Sequence, residues 1–408
     1  MAEVNSVEVR HIALDAHKYY GVFLGINPRG EVVLSARRVD WPNLEAWIKQ
    51  HLQPTDIVVI EATTNTWHLY DLVEPYVAKV KIANAGRVKL LGAGGVKTDS
   101  RDALHLARLS AANLLPEVWV PPIEIRELRQ LIAHRGRLIR QRSAFKNRLS
   151  SMLQRHAIPP PEGDMFLAKH TEWWHGLKLG AMELLRVRQD WQQYQALAPL
   201  IQTAETLIID FSQNVRFAHI TPLLIQLPGI GVISAMTLIA AIGDITRFAS
   251  DKQLVGYSGL GARVHESGEV KRNGPMSKVG RRDIRTTMIE AAWAAVNFKH
   301  PFWEAEFKRL CQRKLPNKAI GAIARRLLVA VWHVWTKAET DRHAVDVKVA
   351  RSFLDWGWKL KKIGRKGLTT GEFVREQLDS LGLGKDLAEM TRGKKRLLLK
   401  QPESMSQE

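Results

Sequence analysis

Four acids and one serine are the residues whose types and placing could do chemistry in this chain. Asp15 ends the apolar stretch Ala13-Leu14-Asp15, and Glu61 ends a second one, Asp56-Ile57-Val58-Val59-Ile60-Glu61. Asp99 and Asp102 stand three apart in Lys97-Thr98-Asp99-Ser100-Arg101-Asp102-Ala103, a spacing that places both on one side of a helix start. Hard divalent ions prefer carboxylate oxygens and keep several waters, and two such ions can clamp both oxygens of a phosphoryl displacement. Singly, each acid has a plainer reading, because Asp at a helix start is usually a cap and an acid at a strand end is usually solvated. All four in this order favour a metal site. Ser267 lies in the Gly-rich segment 256–268, ahead of Lys271, Arg272, Lys278, Arg281, Arg282 and Arg285. A hydroxyl among cations is a candidate nucleophile for a phosphate, although Ser-Gly taken alone reads as a turn. Those bases can hold phosphates, Arg bidentately. Ser258 competes with Ser267 in the same segment.

The elements that must position the acids follow from periodicity. Stretches 7–14, 17–26 and 31–38 read as an antiparallel meander with a turn at Asn27-Pro28-Arg29-Gly30. Residues 41–50 carry a helical pattern, and 56–60 is the short apolar run of a buried parallel strand. A helix to Val73, a strand over 77–82, a Gly-rich connection and a helix from 97 to about 112 complete the block. This order is that of an RNase H-like α/β fold, whose acids belong at strand ends where the sheet surface opens.

Pro121-Pro122 ends this block. Residues 123–155 read as a helix with an apolar stripe and nine Lys or Arg, Arg135 and Arg142 among them, against two Glu. A solvated face is the plainer reading, but so one-sided a run repels itself unless a polyanion lies alongside, which favours nucleic-acid contact. Pro159-Pro160-Pro161 breaks it, and 183–215 is helical again, so the pair predicts an antiparallel hairpin able to dimerise. Leu227-Pro228-Gly229-Ile230-Gly231 ahead of 233–242 looks like a helix-hairpin-helix, with Gly229 and Gly231 offering backbone N–H groups to a DNA phosphate. Helices are expected over 283–298 and 320–335, and beyond 340 over 342–358 and 370–381. Gly393-Lys394-Lys395-Arg396 is a basic patch, and the last eight residues read as disordered.

Composition bounds the partners. Sixty Lys plus Arg against 41 Asp plus Glu give a formal charge of +19, which makes nucleic acid the default partner. A 45% hydrophobic content supports sizeable cores. The single cysteine, Cys311, excludes a disulfide framework and a Cys-based zinc site within one chain and points to a reducing cytoplasm. No apolar signal core or membrane-spanning run is seen.

The three acidic motifs, with Ile60-Glu61-Ala62-Thr63 as the second, and the segments Tyr257-Ser258-Gly259-Leu260, Glu266-Ser267-Gly268 and Met276-Ser277-Lys278-Val279-Gly280 resemble the DEDD transposases of bacterial insertion sequences. These are relatives of Piv-type invertases and bridge-RNA-guided serine recombinases. The resemblance spans about residues 7–335. It implies an α/β plus mostly α chain: a RuvC-like domain (1–118), a helical, coiled-coil spacer (119–218), a C-terminal transposase domain with the serine loop (219–340), and a basic helical extension (341–408). It implies that Asp15, Glu61, Asp99 and Asp102 form a tetrad for Mg2+ or Mn2+, that Ser267 is the nucleophile, and that Ser258 is not catalytic. It further implies donor and target DNA as substrates, a guide RNA from the element, a dimer or tetramer, and a bacterial, nucleoid-associated setting in the cytoplasm. Relatives carry Pro where this chain has Ala85 and Ala262. The alternatives are a RuvC-like metal-dependent endonuclease using water, an invertase acting without RNA, and a binding protein on a decayed RNase H fold.

Overall fold

A computed structural model describes residues 8–91, 98–267, 270–392 and 395–400. These fall into two compact units, within Met1–Pro121 and Pro122–Glu408.

The first unit is built on a six-stranded sheet of order β3-β2-β1-β4-β5-β6. Its strands are β1 (His11–Ala16), β2 (Tyr20–Ile26), β3 (Val32–Asp40), β4 (Ile57–Glu61), β5 (Lys79–Ala83) and β6 (Glu117–Val118). The first three pair antiparallel, while β4 runs parallel to both β1 and β5. Helices α1 (Leu44–His51), α2 (Thr66–Val73), α3 (Ala85–Leu91) and α4 (Asp99–Ala111) fill the connections. The expected meander and the alternation that follows it are present. Two elements escaped the periodicity, the two-residue β6 and the short α3, whose start is held by the Asn84 side chain accepting from Arg87 N–H.

Because strand side chains alternate, the sheet sorts its residues onto two faces. Ile12, Leu14, Val58 and Ile60 pack with Leu44, Trp47, Ile48, Leu69 and Val73 of α1 and α2. Ala13, Val59 and Ala83 pack with Ala103, Leu106 and Ala107 of α4.

The second unit opens with α5 (Ile123–Arg155), followed by α6 (Thr171–His175) and α7 (Ala181–Phe211). Helices α5 and α7 form an antiparallel hairpin, shown by the falling partner numbers in Arg135–Glu205, Arg148–Asp190 and Arg155–Glu183. Trp174 and Trp191 are fully buried at its closed end, stacked with centroids 5.4 Å apart. Next come α8 (Thr221–Ile225), α9 (Val232–Ile242) and α10 (Asp251–Ser258), then the hairpin β7 (Ala262–Ser267) and β8 (Val270–Met276). Helices α11 (Arg282–Asn297), α12 (Pro301–Cys311) and α13 (Pro316–Lys337) follow, then α14 (Asp346–Gly364), α15 (Thr370–Ser380) and the hairpin β9 (Glu389–Arg392) with β10 (Lys395–Leu398). Residues beyond 340 pack on this unit, since Trp356 Nε1 donates to Ser212 Oγ at 3.0 Å and Gln226 accepts from Asp341 N–H. The patch residues Gly393 and Lys394 and the last eight residues lie outside the described residues.

Candidate acid cluster and serine hairpin

Sheet register and α4 set where the four acids stand; of the four, Asp15 and Asp99 fall, with His17, into one close group among the described residues, and Glu61 and Asp102 are not part of it. Leu14 pairs with Ile60, so Asp15 and Glu61 follow side by side at the C-terminal ends of adjacent parallel strands. Asp15 shares the face of Ala13, and Glu61 that of Val59, which is the face covered by α4. Asp99 and Asp102 stand one helical turn before the α4 residues that seal this face, Ala103 and Leu106. The core contact of α4 therefore aims its N-terminus at the two strand ends. The cap itself is Thr98, whose hydroxyl accepts from Arg101 N–H at 3.4 Å, so neither acid serves as the cap.

Asp15 and Asp99 are joined by a residue that sequence reasoning missed. His17 Nε2 lies 3.3 Å from Asp15 Oδ2 and 3.3 Å from Asp99 Oδ2, and ligand atoms of the three residues all fall within 4.8 Å of one another. That nitrogen is buried between the two carboxylates. Burial raises the Asp15 carboxyl above the ordinary range; His17 opposes the rise, and the charges of Asp99 and Asp102 add to it. An imidazole nitrogen and two carboxylates this close together form a donor set that fits a cation. Tyr20 buttresses the cluster. Its hydroxyl donates to Asp99 Oδ2 at 3.3 Å, its ring stacks on His17 and Arg38 lies over its other side. The only hint of His17 in the sequence was its two-residue offset from Asp15.

In the second unit Ser267 closes β7 and pairs with Val270 of β8. The expected loop is a β-hairpin in which Val264 pairs with Asn273 and His265 with Arg272. Gly268 and the side chains of Ser267 and Lys271 lie outside the described residues, as does Lys97. The base of the hairpin is tied to the end of α10 and the turn after it by three backbone bonds: Ser277 N–H to Gly261 O, Lys278 N–H to Gly259 O and Arg281 N–H to Tyr257 O. Gly280 permits this approach, because a Cβ there would lie 2.4 Å from Tyr257 O. Ser258 is fully buried; its hydroxyl donates to Val255 O and accepts from Leu260 N–H, which marks it as structural.

Several expected phosphate binders have partners inside the protein. Arg281 is bidentate with Asp283, and this raises its pKa despite burial. Arg285 donates to Ser258 O at 3.0 Å. Arg135 grips Glu205 across the helical hairpin, so acids of α7 supply counter-charge that was expected from a polyanion. Arg142 acts electrostatically on the Tyr194 hydroxyl and forms no ion pair among the described residues. Lys278 and Arg282 are exposed. Gly229 takes φ 78° and touches the α11 backbone, where a Cβ would sit 2.2 Å from Ala291 O. Its need for glycine is thus a packing need. Gly231 is the N-cap of α9 with open space around it.

Comparison with known proteins places these two sites in one family. A model described as "Transposase", of the DEDD IS110 type, matches residues 12–158 and so takes in all four acids. A second, the "Transposase IS116/IS110/IS902 family", matches 221–308 and so takes in the serine hairpin. The chain belongs to the IS110 family of DEDD transposases. Relatives of this transposase include the "Putative transposase y4qE" of Sinorhizobium fredii, 27% identical over 66% of each chain. The "Transposase for insertion sequence element IS1111A" of Coxiella burnetii is 24% identical over 82% of this chain and 92% of its own. The "Pilin gene-inverting protein" of Moraxella bovis is 26% identical over 79% and 95%. The transposase is thus an enzyme of insertion-sequence transposition. No helix among its described residues is long and apolar enough to cross a membrane.

Proposed function

We propose that this transposase cuts and rejoins DNA through a covalent phosphoserine link at Ser267, assisted by a divalent-metal site at Asp15, Glu61, Asp99 and Asp102. The observation that carries the metal half is the half-exposed Asp15–His17–Asp99 cluster at the sheet end, whose ligand atoms lie within 4.8 Å of one another. A bound Mg2+ or Mn2+ would supply Lewis-acid polarisation of the scissile phosphate. The acids fix where that charge sits, and Tyr20 holds Asp99 in place. Ser267 Oγ forms the bond to phosphorus as a strand oxygen leaves. The phosphodiester so made keeps the bond energy for the reverse attack that rejoins DNA. Lys271, Lys278 and Arg282 neutralise the strand beside the serine, with Arg142 and the Gly231 helix start as further phosphate contacts.

The test is a denaturing gel of a DNA reaction with and without Mg2+. A protein–DNA adduct is expected, absent in Ser267→Ala and in Asp99→Ala. Strand cutting that persists in Ser267→Ala would instead identify a water-using nuclease. We further propose an oligomer in which acids and serine are supplied by different copies. Mixing Asp99→Ala with Ser267→Ala protein should then restore the adduct, whereas acids and serine acting within one copy leave the mixture inactive.

The charge of +19 supports a polyanionic partner and is met by DNA or RNA alike; on the family resemblance we propose a guide RNA from the element that pairs donor with target. Its rival is inversion at fixed sites without RNA; a pilin gene-inverting protein stands among the relatives. Sequencing RNA that copurifies with the transposase separates them: a discrete element-derived species supports guidance, and none supports the rival.

A further inference from the structure

We infer that a groove between the base of the serine hairpin and the start of α13 is the track along which the DNA strand reaches Ser267. This rests on the function proposed above. The groove encloses about 1000 Å3. One wall is the hairpin base, with Ala262, Pro275 and Met276, and the other is α13 with the turn before it. Its depth comes from small residues, Gly321 and Ala322.

Five cations line it, Lys278, Arg313, Lys314, Lys318 and Arg325, and no acid does. None of the five pairs with a carboxylate among the described residues. Neighbours that face away from the groove are neutralised: Lys308 by Glu304, and Arg309 and Arg326 by Glu306. Surface charges normally intersperse with opposite ones, so a concave strip that keeps one sign is arranged for a polyanion. The start of α13 adds to the field. This 22-residue helix has Leu315 as N-cap, no side-chain cap bond and no acid in its first turn, which leaves its positive end to an outside anion. The hairpin wall belongs to the strand pair that carries Ser267, which puts the groove and the serine on one element. We assign the groove to DNA for this reason.

The experiment measures the salt dependence of full-length protein binding to a DNA duplex. The triple variant Arg313→Gln/Lys314→Gln/Lys318→Gln should flatten the slope of log K against log salt by about 2.7, roughly 0.9 for each phosphate left without its cation. The charge-keeping triple Arg313→Lys/Lys314→Arg/Lys318→Arg should keep the slope. A control of equal charge loss on exposed positions of α14, Arg351→Gln/Lys359→Gln/Lys362→Gln, should change it little. Equal flattening in the control, or none in the groove triple while its melting curve stays unchanged, overturns the proposal. So does flattening with a single-stranded RNA probe and none with DNA. Ser267→Ala should leave the slope alone while removing the adduct. An adduct surviving that change defeats the proposed mechanism and leaves the groove result standing.

Discussion

His17 shows how a single side chain changes the reading of the acids around it. A carboxylate pair alone favours hard ions that keep oxygen ligands, whereas an imidazole between them adds affinity for transition-metal ions, among which Mn2+ takes a nitrogen ligand more readily than Mg2+ does. His17→Gln should therefore weaken Mn2+ binding more than Mg2+ binding, by about 10–100-fold for a partner of metal ligands, as read by titration calorimetry. Asp15→Asn should leave the melting temperature unchanged or higher, because the fold disfavours the Asp15 charge, while abolishing the metal-dependent adduct. The nearness of Asp15 and Asp99 was legible in the sequence because acids at a strand end and at a helix start belong to one edge of such a fold. His17 was not, since its role exists only once α4, some eighty residues later, delivers Asp99. Arg281 and Arg285 were misleading for a related reason: an arginine looks the same in sequence whether it faces a phosphate, Asp283 or a backbone carbonyl.

Helices and strands account for which glycines and charges are replaceable. Gly229→Ala should lower stability by about 2 kcal/mol or more, from left-handed strain plus a collision with the α11 backbone, measured by denaturant unfolding. Gly231→Ala, in open space, should cost far less. Arg135→Ala removes a partly exposed pair worth at most about 1 kcal/mol and should change DNA affinity little, since Glu205 already holds that guanidinium. Element order in the first unit was readable because short apolar strands, buried along most of their length in β1, β2 and β4, are set apart by turn residues and helical patterns. The β7–β8 hairpin was not readable, because its glycines and scattered charges mask the alternation that strand pairing completes.

At the scale of the whole molecule, two buried histidines tie stability to pH. Burial, with Lys81, lowers the pKa of His11, and burial, with Lys348 and then His343, lowers that of His300. Both are neutral when folded, while the unfolded chain takes up their protons near pH 6.5. The stability they confer is complete above that value and is lost as pH falls below it toward the folded pKa values. Melting temperature should thus drop from pH 7.5 to 5.5, and His11→Gln should flatten that dependence. The largest consequence lies with α4. Its Ala103 and Ala107 are wholly buried against the sheet, and the same rigid rod ends in Asp99 and Asp102. Methyl groups in the core therefore calibrate the aim of the acids. An added methylene at Ala107 would tilt the rod, and an error near 1 Å at a reacting centre can cost about a hundredfold in rate. Drift in this core would silence the transposase long before it unfolded it, so an insertion sequence can lose its mobility through a residue that never meets DNA.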